Sequence, residues 1–360
     1  MKTSFVSNLA VQNAMRLTIQ QSQSEVVKLQ AEVTTGRHAD VGVALGGSTS
    51  RSLDLQREMA RMQTLTSTNA VVTQRLAASQ GALTSVADAA QSINKVMIGL
   101  SGSNSADQLT IAKTEVTNAL SIFNSAINTS FNGEFLFSGI NTDVKPMIDY
   151  NSAEGAAAKA AYNTALTTFM GAQVPPLTAM NQFSKAQMED FITNTLEPMY
   201  VDTDPAAGDQ SRWQTDWSSA SDQTMTSRIS TTEVVPSSTT ANSDGMRKFA
   251  LASVIASELL GADVSSEVRS TISGSVTSYI GEAISGIDAQ RSDLGISEAR
   301  VKKANTSLAA QIKLVTTHIS DLEGVDTYAA STRMNTLLTQ IETSYTLTSR
   351  LQQLSLINYL

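Results

Sequence analysis

The side chains that most often carry chemistry are scarce in this chain and poorly placed for it. Its 360 residues include two histidines and no cysteine, which removes disulfides, thiolate nucleophiles and thiolate metal sites together. His38 sits in the polar run GRHAD and His318 deep in a long helical pattern. Neither has a second histidine or a carboxylate at ligand spacing, so both read as solvated or structural. The many serines include no GxSxG elbow, and two histidines leave a Ser-His-Asp arrangement little to draw on. VGVALGGSTS, Val41 to Ser50, is glycine-rich like a phosphate loop but has neither a Lys-Ser/Thr ending nor GxGxxG spacing, and reads as a hinge between helical layers. Asp288, Asp293 and Glu298 alternate with Arg291, Arg300 and Lys302 as solvated helix-face pairs. Met59, Met62 and Met97 fall on a helical seam, where methionine packs a core. No catalytic constellation, metal site or cofactor site emerges, and no cofactor is expected.

Composition narrows the partners. The net charge is -8, and no cluster of Lys or Arg offers the phosphate-neutralising surface that nucleic acid requires. The amino-terminal stretch has no continuous apolar run of signal-peptide length, and no segment reaches membrane-spanning length, so Sec export and membrane insertion are not indicated. Aromatic residues at 5% and charged residues at 16% are both low. Ala, Ser, Thr, Asn and Gln fill the gap, which suits long helices packed through small contacts and predicts an elongated shape.

The elements that could position a functional surface are therefore helices. At the carboxyl end, Met334, Leu337, Ile341, Tyr345, Thr348, Leu351 and Leu354 recur every three or four residues, and Arg350 is the only charge after Glu342. A solvated helix shows a charged face, so this one is expected to pack on several sides. At the amino end Phe5, Leu9, Gln12, Arg16, Ile19, Gln23, Val26, Gln30 and Val33 mark a similar repeat in a helix predicted from Thr3 to Thr35 and ended by Gly36. The two ends read as partners. In a free monomer both are expected to fray, because an isolated helix is marginal without burial.

Between them, Leu55, Met59, Met62, Leu65, Asn69, Val72, Leu76, Ser79, Leu83, Val86, Ala90, Ile93, Met97 and Leu100 form a coiled-coil seam with Asn69 as a register-setting polar position. At 1.5 Å per residue the helix extends roughly 75 Å. Gly99 to Asn104 breaks it, and Ser105 with Gln108 starts a return helix to Phe131. Asn132-Gly133 begins a hairpin that runs to Pro146, in which Phe135 and Phe137 alternate around Leu136. All six prolines lie from Pro146 to Pro236, together with Trp213 and Trp217. That confinement predicts an inserted α/β domain, with helices over Ala153 to Met170 and Thr178 to Leu196 and strands in WQTDWSS and MTSRISTTEVVPSS. Helices resume over Met246 to Leu260 and from Asp263 to Leu322, and Asp326 or Thr327 caps the last one. The expected fold is mainly α, with Leu55 to Leu100 and Val268 to Leu322 paired as a long antiparallel coiled-coil rod. Residues 1–40 with 326–360 form the terminal helical domain, 41–149 with 243–325 the rod and its hairpin, and 150–242 the insert at the distal tip.

The paired ends, the turn QAEVTTGRHADVG, the long heptad helix, the ribbon GEFLFSGINTDVKP and the closing LQQLSLINYL resemble the hook-associated protein 3 family within the flagellin superfamily. The likeness covers about Met1 to Asp149 and Ser243 to Leu360, and the segments Phe135 to Gly139 and Ser355 to Leu360 favour the junction protein over flagellin. One departure is the Gly-rich stretch that follows Arg37-His38-Ala39-Asp40. The resemblance implies a secreted, non-enzymatic flagellar part, passed unfolded through the type III export channel. It would sit at the extracellular hook–filament junction as a ring of copies, between the first hook-associated protein and flagellin, and would have an export chaperone in the cytoplasm. Phe5, Leu9, Ile19, Val26, Val33, Leu337, Ile341, Leu351 and Leu354 would supply the assembly interface. Flagellin itself is the neighbouring alternative, and an enzyme hidden in the insert the distant one.

Overall fold

The computed structural model describes residues 8–101, 105–201 and 211–357, with side chains over 10–350 of those spans. In chain order its helices are α1 (Asn8–Thr35), α2 (Val41–Leu45), α3 (Thr49–Ser101), α4 (Ala106–Ile127), α5 (Ala156–Ala172), α6 (Lys185–Asp190), α7 (Glu197–Tyr200), α8 (Trp213–Asp216), α9 (Asp244–Leu259), α10 (Ser266–Glu323) and α11 (Thr327–Ile357). Two antiparallel ribbons, β1 (Ser130–Phe131) with β2 (Glu134–Phe135) and β3 (Thr226–Arg228) with β4 (Val234–Pro236), complete a mainly α fold.

Local chemistry sets most boundaries. Gly36 ends α1 at φ +69°, a conformation that costs glycine nothing. The stretch read as a hinge is itself helical: Asp40 Oδ1 accepts from Val43 N at 3.0 Å to start α2, and a 3₁₀ turn over Gly46–Ser48 leads into α3. Ser105 caps α4 by accepting from Gln108 N at 3.3 Å. Asn132 and Gly133 both take positive φ, 52° and 84°, the geometry that lets a two-residue turn follow the twist of its strands. Beyond the ribbon the expected alternation fails. Leu136 and Phe137 are both fully buried, because the chain leaves the ribbon and enters the core.

The chain divides into two compact units, one of Met1–Thr64 with Ser307–Leu360 and one of Leu65–Thr306. In the first unit α3 and α10 meet where Thr316 Oγ1 lies 3.6 Å from Met59 Sδ and Gln56 Nε2 donates to Glu323 Oε1 at 2.6 Å. In the second unit Asn69 Nδ2 donates to Asn305 Oδ1 at 2.7 Å and Gln80 Nε2 to Arg291 O at 2.6 Å. Partner numbers fall on α10 as they rise on α3, so the two helices run antiparallel within each unit. The predicted seam from Asn69 to Leu100 is buried along its length. Asn69 also donates to Ile229 O at 2.9 Å, which ties the end of the β3–β4 ribbon to the helix pair.

The core of the second unit centres on α9, which is apolar on nearly every side and buried almost throughout. Phe249 stacks on Phe123 of α4 with centroids 4.3 Å apart. One turn earlier Gly245 meets Gly286 of α10 so closely that a Cβ on Gly286 would lie 2.7 Å from Gly245 Cα, which only glycine at both positions allows. Residues 150–242 add to the same hydrophobic cluster rather than building one of their own. WQTDWSS is not a strand. Arg212 and Asp216, four residues apart, form a two-bond ion pair at 2.6 and 3.0 Å across the helical turn α8, and Trp213 stacks on Trp217 at 5.7 Å. Tyr150 extends that stack at 5.1 Å, and a π-helical turn over Phe191–Leu196 lets Phe191, Ile192 and Leu196 all face the core.

Candidate functional site

The surface that the sequence proposes for function is the pair α1 and α11, which pack along one another. Three side-chain contacts fix their antiparallel register. Glu25 and Arg333 lie 3.2 Å apart, Gln23 Nε2 donates to Tyr345 Oη at 2.9 Å, and Thr348 Oγ1 lies 3.8 Å from Met15 Sδ. Ile19 and Ile341 are buried, and Val26, Val33 and Leu337 half-buried, so five of the predicted interface residues sit within this intramolecular pair. Phe5 lies outside the described residues, as do the side chains of Leu9, Leu351 and Leu354.

The phase of the predicted amino-terminal repeat is corrected at every second position. Arg16, Gln23 and Gln30 are exposed, and the inward set is Met15, Ile19, Ser22, Val26, Leu29 and Val33, an alternation of four and three. Leu29, 5% exposed, is the residue that sequence reasoning missed. It stands three residues after Val26, next to the glutamine chosen in its place, and its apolar character was the available signal. On α11 the inward set is Met334, Leu337, Ile341, Ser344 and Thr348, while Tyr345 is exposed and reaches Gln23 through its hydroxyl.

Outside the seam charges are few, and apolar or uncharged polar side chains prevail. Leu17, Val27, Leu338 and Leu347 are each more than 40% exposed, and Leu338 and Tyr345 share a stripe two turns long. An open groove of about 600 Å³ runs between the helices, lined by Thr18, Ser22, Thr336, Thr339, Gln340, Thr343 and Ser344. Most of those hydroxyls fold back onto main-chain oxygens one turn earlier, as Thr339 does on Asn335 O at 3.1 Å and Thr343 on Thr339 O at 2.8 Å. The groove is polar without carrying charge.

The base of the pair is a tight joint. Val325 N donates to Gly36 O at 3.0 Å and His38 N to Glu323 O at 3.0 Å, an antiparallel bridge between the turn after α1 and the turn before α11. Asp326 Oδ1 caps α11 by accepting from Tyr328 N at 2.9 Å and Ala329 N at 3.1 Å. His38 Nδ1 lies 3.6 Å from Glu32 Oε1, a carboxylate that sequence spacing did not connect to it, and the same oxygen accepts from Ala39 N at 3.1 Å. His38 is thus a turn residue. Among the described residues no group of three or more His, Asp or Glu side chains could hold a metal ion, and no helix is long and apolar enough to cross a membrane.

Comparison with known proteins gives two family matches. The bacterial flagellin N-terminal helical region matches residues 6–142 and the bacterial flagellin C-terminal helical region matches residues 277–360, together more than half of the chain. No curated protein matches it. Among solved structures the chain is similar to a flagellar hook-associated protein from Vibrio parahaemolyticus, with a TM-score of 0.51 at 12% identity, over 77% of this chain and 97% of that one. That likeness is one of fold.

Proposed function

We propose that this chain, which belongs to the flagellin superfamily, is the adaptor at the hook–filament junction of the bacterial flagellum, on which flagellin begins to assemble. It is a structural component of the flagellum, and its work is packing. The observation that carries the reading is the pair α1 and α11, which leaves Leu17, Val27, Leu338 and Leu347 exposed on helices with few charges. Such faces gain stability only when further copies or neighbouring subunits cover them.

The proposed interface joins Phe5, Leu9, Leu351 and Leu354 near the chain ends to Ile19, Val26, Val33, Leu337 and Ile341, the last five acting by holding the pair in register. Its partners are other copies in a ring, the first hook-associated protein on one side and flagellin on the other, with an export chaperone before secretion. The uncharged hydroxyl groove suits a wet wall that does not hold an unfolded passing chain. The segments Phe135–Gly139 and Ser355–Leu360 favour the junction over a filament subunit.

The test is the double substitution Leu351→Asp and Leu354→Asp. Each buried Leu contributes roughly 1.5–3 kcal/mol, and a buried charge in its place adds a desolvation cost, repeated in every copy. Cells carrying it should keep hooks, lack filaments and shed unpolymerised flagellin, with the purified variant still folded by circular dichroism. Normal filaments would sink the reading, and unaided growth of the pure protein into long filaments would favour a filament subunit.

A further inference from the structure

Glu323, the last residue of α10, is 1% exposed. Few carboxylates are buried so deeply unless their oxygens are satisfied, and here three side chains converge on them. Arg37 Nη1 lies 3.3 Å from Oε2, Gln56 Nε2 donates to Oε1 at 2.6 Å, and the Ser52 hydroxyl donates to the same oxygen. Its main-chain oxygen meanwhile accepts from His38 N. One residue thus gathers the turn after α1, the first turns of α3, and the turn from α10 into α11. Removing it would leave the buried Ser52 hydroxyl and the half-buried Gln56 amide without this acceptor, and an unsatisfied buried donor costs more than its bond is worth in itself.

The position of this joint matters because of what lies beyond it. The α1–α11 seam buries few large side chains, and starting a helix is the unfavourable step while extending one is cheap. A base that already holds Gly36 against Val325 supplies a start for both helices in a fixed register. We propose that Glu323 is a positioning residue for the terminal pair: by holding Arg37, Ser52 and Gln56 at one point it fixes the base from which α1 and α11 order outward toward the chain ends. Order in the free subunit then declines with distance from the joint.

Amide hydrogen exchange on the full-length monomer tests this, with Glu323→Ala, Arg37→Ala, Glu323→Gln and, as control, the exposed Glu342→Ala. In the unmodified protein, amides over 26–35 and 327–337 should exchange at least about tenfold more slowly than those over 10–17 and 341–350. Glu323→Ala should erase that difference, Arg37→Ala reduce it and Glu323→Gln keep part of it. Glu342→Ala should leave it intact, and protection of α9 should be the same throughout. Equal exchange at base and ends, or base protection that survives Glu323→Ala, overturns the proposal. Loss of α9 protection in Glu323→Ala overturns it too, since the residue would then support the whole chain. A filament count in cells carrying Glu323→Ala extends the test and rests on the junction reading: fewer filaments support the link to assembly, and a normal count with base protection lost refutes that link while Leu351→Asp/Leu354→Asp judges the reading itself.

Discussion

Between residues 65 and 306 the chain packs ring on ring around a helix buried almost throughout, whereas the paired terminal helices of the other unit bury little beyond Ile19, Leu29, Ala330 and Ile341. Both regions are helical and both follow heptad spacing, so secondary structure does not separate them. Burial does. Phe123, Phe249, Trp213, Trp217 and Tyr150 give the second unit large apolar area per residue, and large side chains dominate core energetics. The terminal pair instead spreads small contacts over a long seam and leaves leucines outside it. The difference teaches that burial rather than helical period decides where the stability of this chain resides, and the proposed assembly surface falls on the thinly buried pair.

Truncating the core should expose the contrast most strongly. Phe249→Ala removes the ring stacked 4.3 Å from Phe123 and should cost about 3–5 kcal/mol in urea unfolding followed by tryptophan emission. Ile341→Ala on α11 should leave the same transition in place, since Trp213 and Trp217 report on the other unit. Equal losses would break the comparison.

Alkaline titration sharpens it through tyrosine. Burial, then the charge of Glu258, raises the Tyr150 and Tyr162 hydroxyls above the usual tyrosine range; burial, then Tyr162, raises Tyr200; burial, then the hydrogen bond to Glu197, raises Tyr279. The folded unit keeps these protons while the unfolded chain releases them near pH 10. Its stability is therefore whole below about pH 10 and falls as pH rises past it, by about 1.4 kcal/mol per pH unit for each tyrosine that stays protonated in the fold. Tyrosinate absorbance from the four buried residues should appear only as the second unit unfolds. Ionisation of those four ahead of unfolding would contradict this.

The smallest effect belongs to the ion pair between Glu25 and Arg333, whose side chains are 36% and 67% exposed. Arg333→Ala should change stability by no more than about 1 kcal/mol, because exposed pairs gain little in water. A larger loss, seen as a drop in helix content by circular dichroism, would mean that the terminal pair stands on specific electrostatics rather than on its seam.

Much of the fold was legible because its signals are local. The α3 seam, the cap at Ser105, the end of α1 at Gly36 and the Asn132-Gly133 turn each depend on residues a few positions apart. The failures have local causes as well. Trp213 and Trp217 read as alternating strand residues until the Arg212–Asp216 pair closes a helical turn beneath them. Gln30 and Leu29 are neighbours, and one residue of phase decides which faces α11.

By itself the sequence determined where the long helices are capped or end and that α3 and α10 carry matching seams, because helical period, caps and turns act within a turn or two of chain. Only the tertiary structure decided that α9 is the centre of a core shared with residues 150–242, that Gly245 must meet Gly286, and that Glu323 gathers Arg37, Ser52 and Gln56. Those contacts join residues tens to hundreds of positions apart, and no local period marks a partner at that distance. They follow instead from close packing, which lets backbones touch only where two glycines coincide and admits a carboxylate to the interior only where donors from distant segments arrive together.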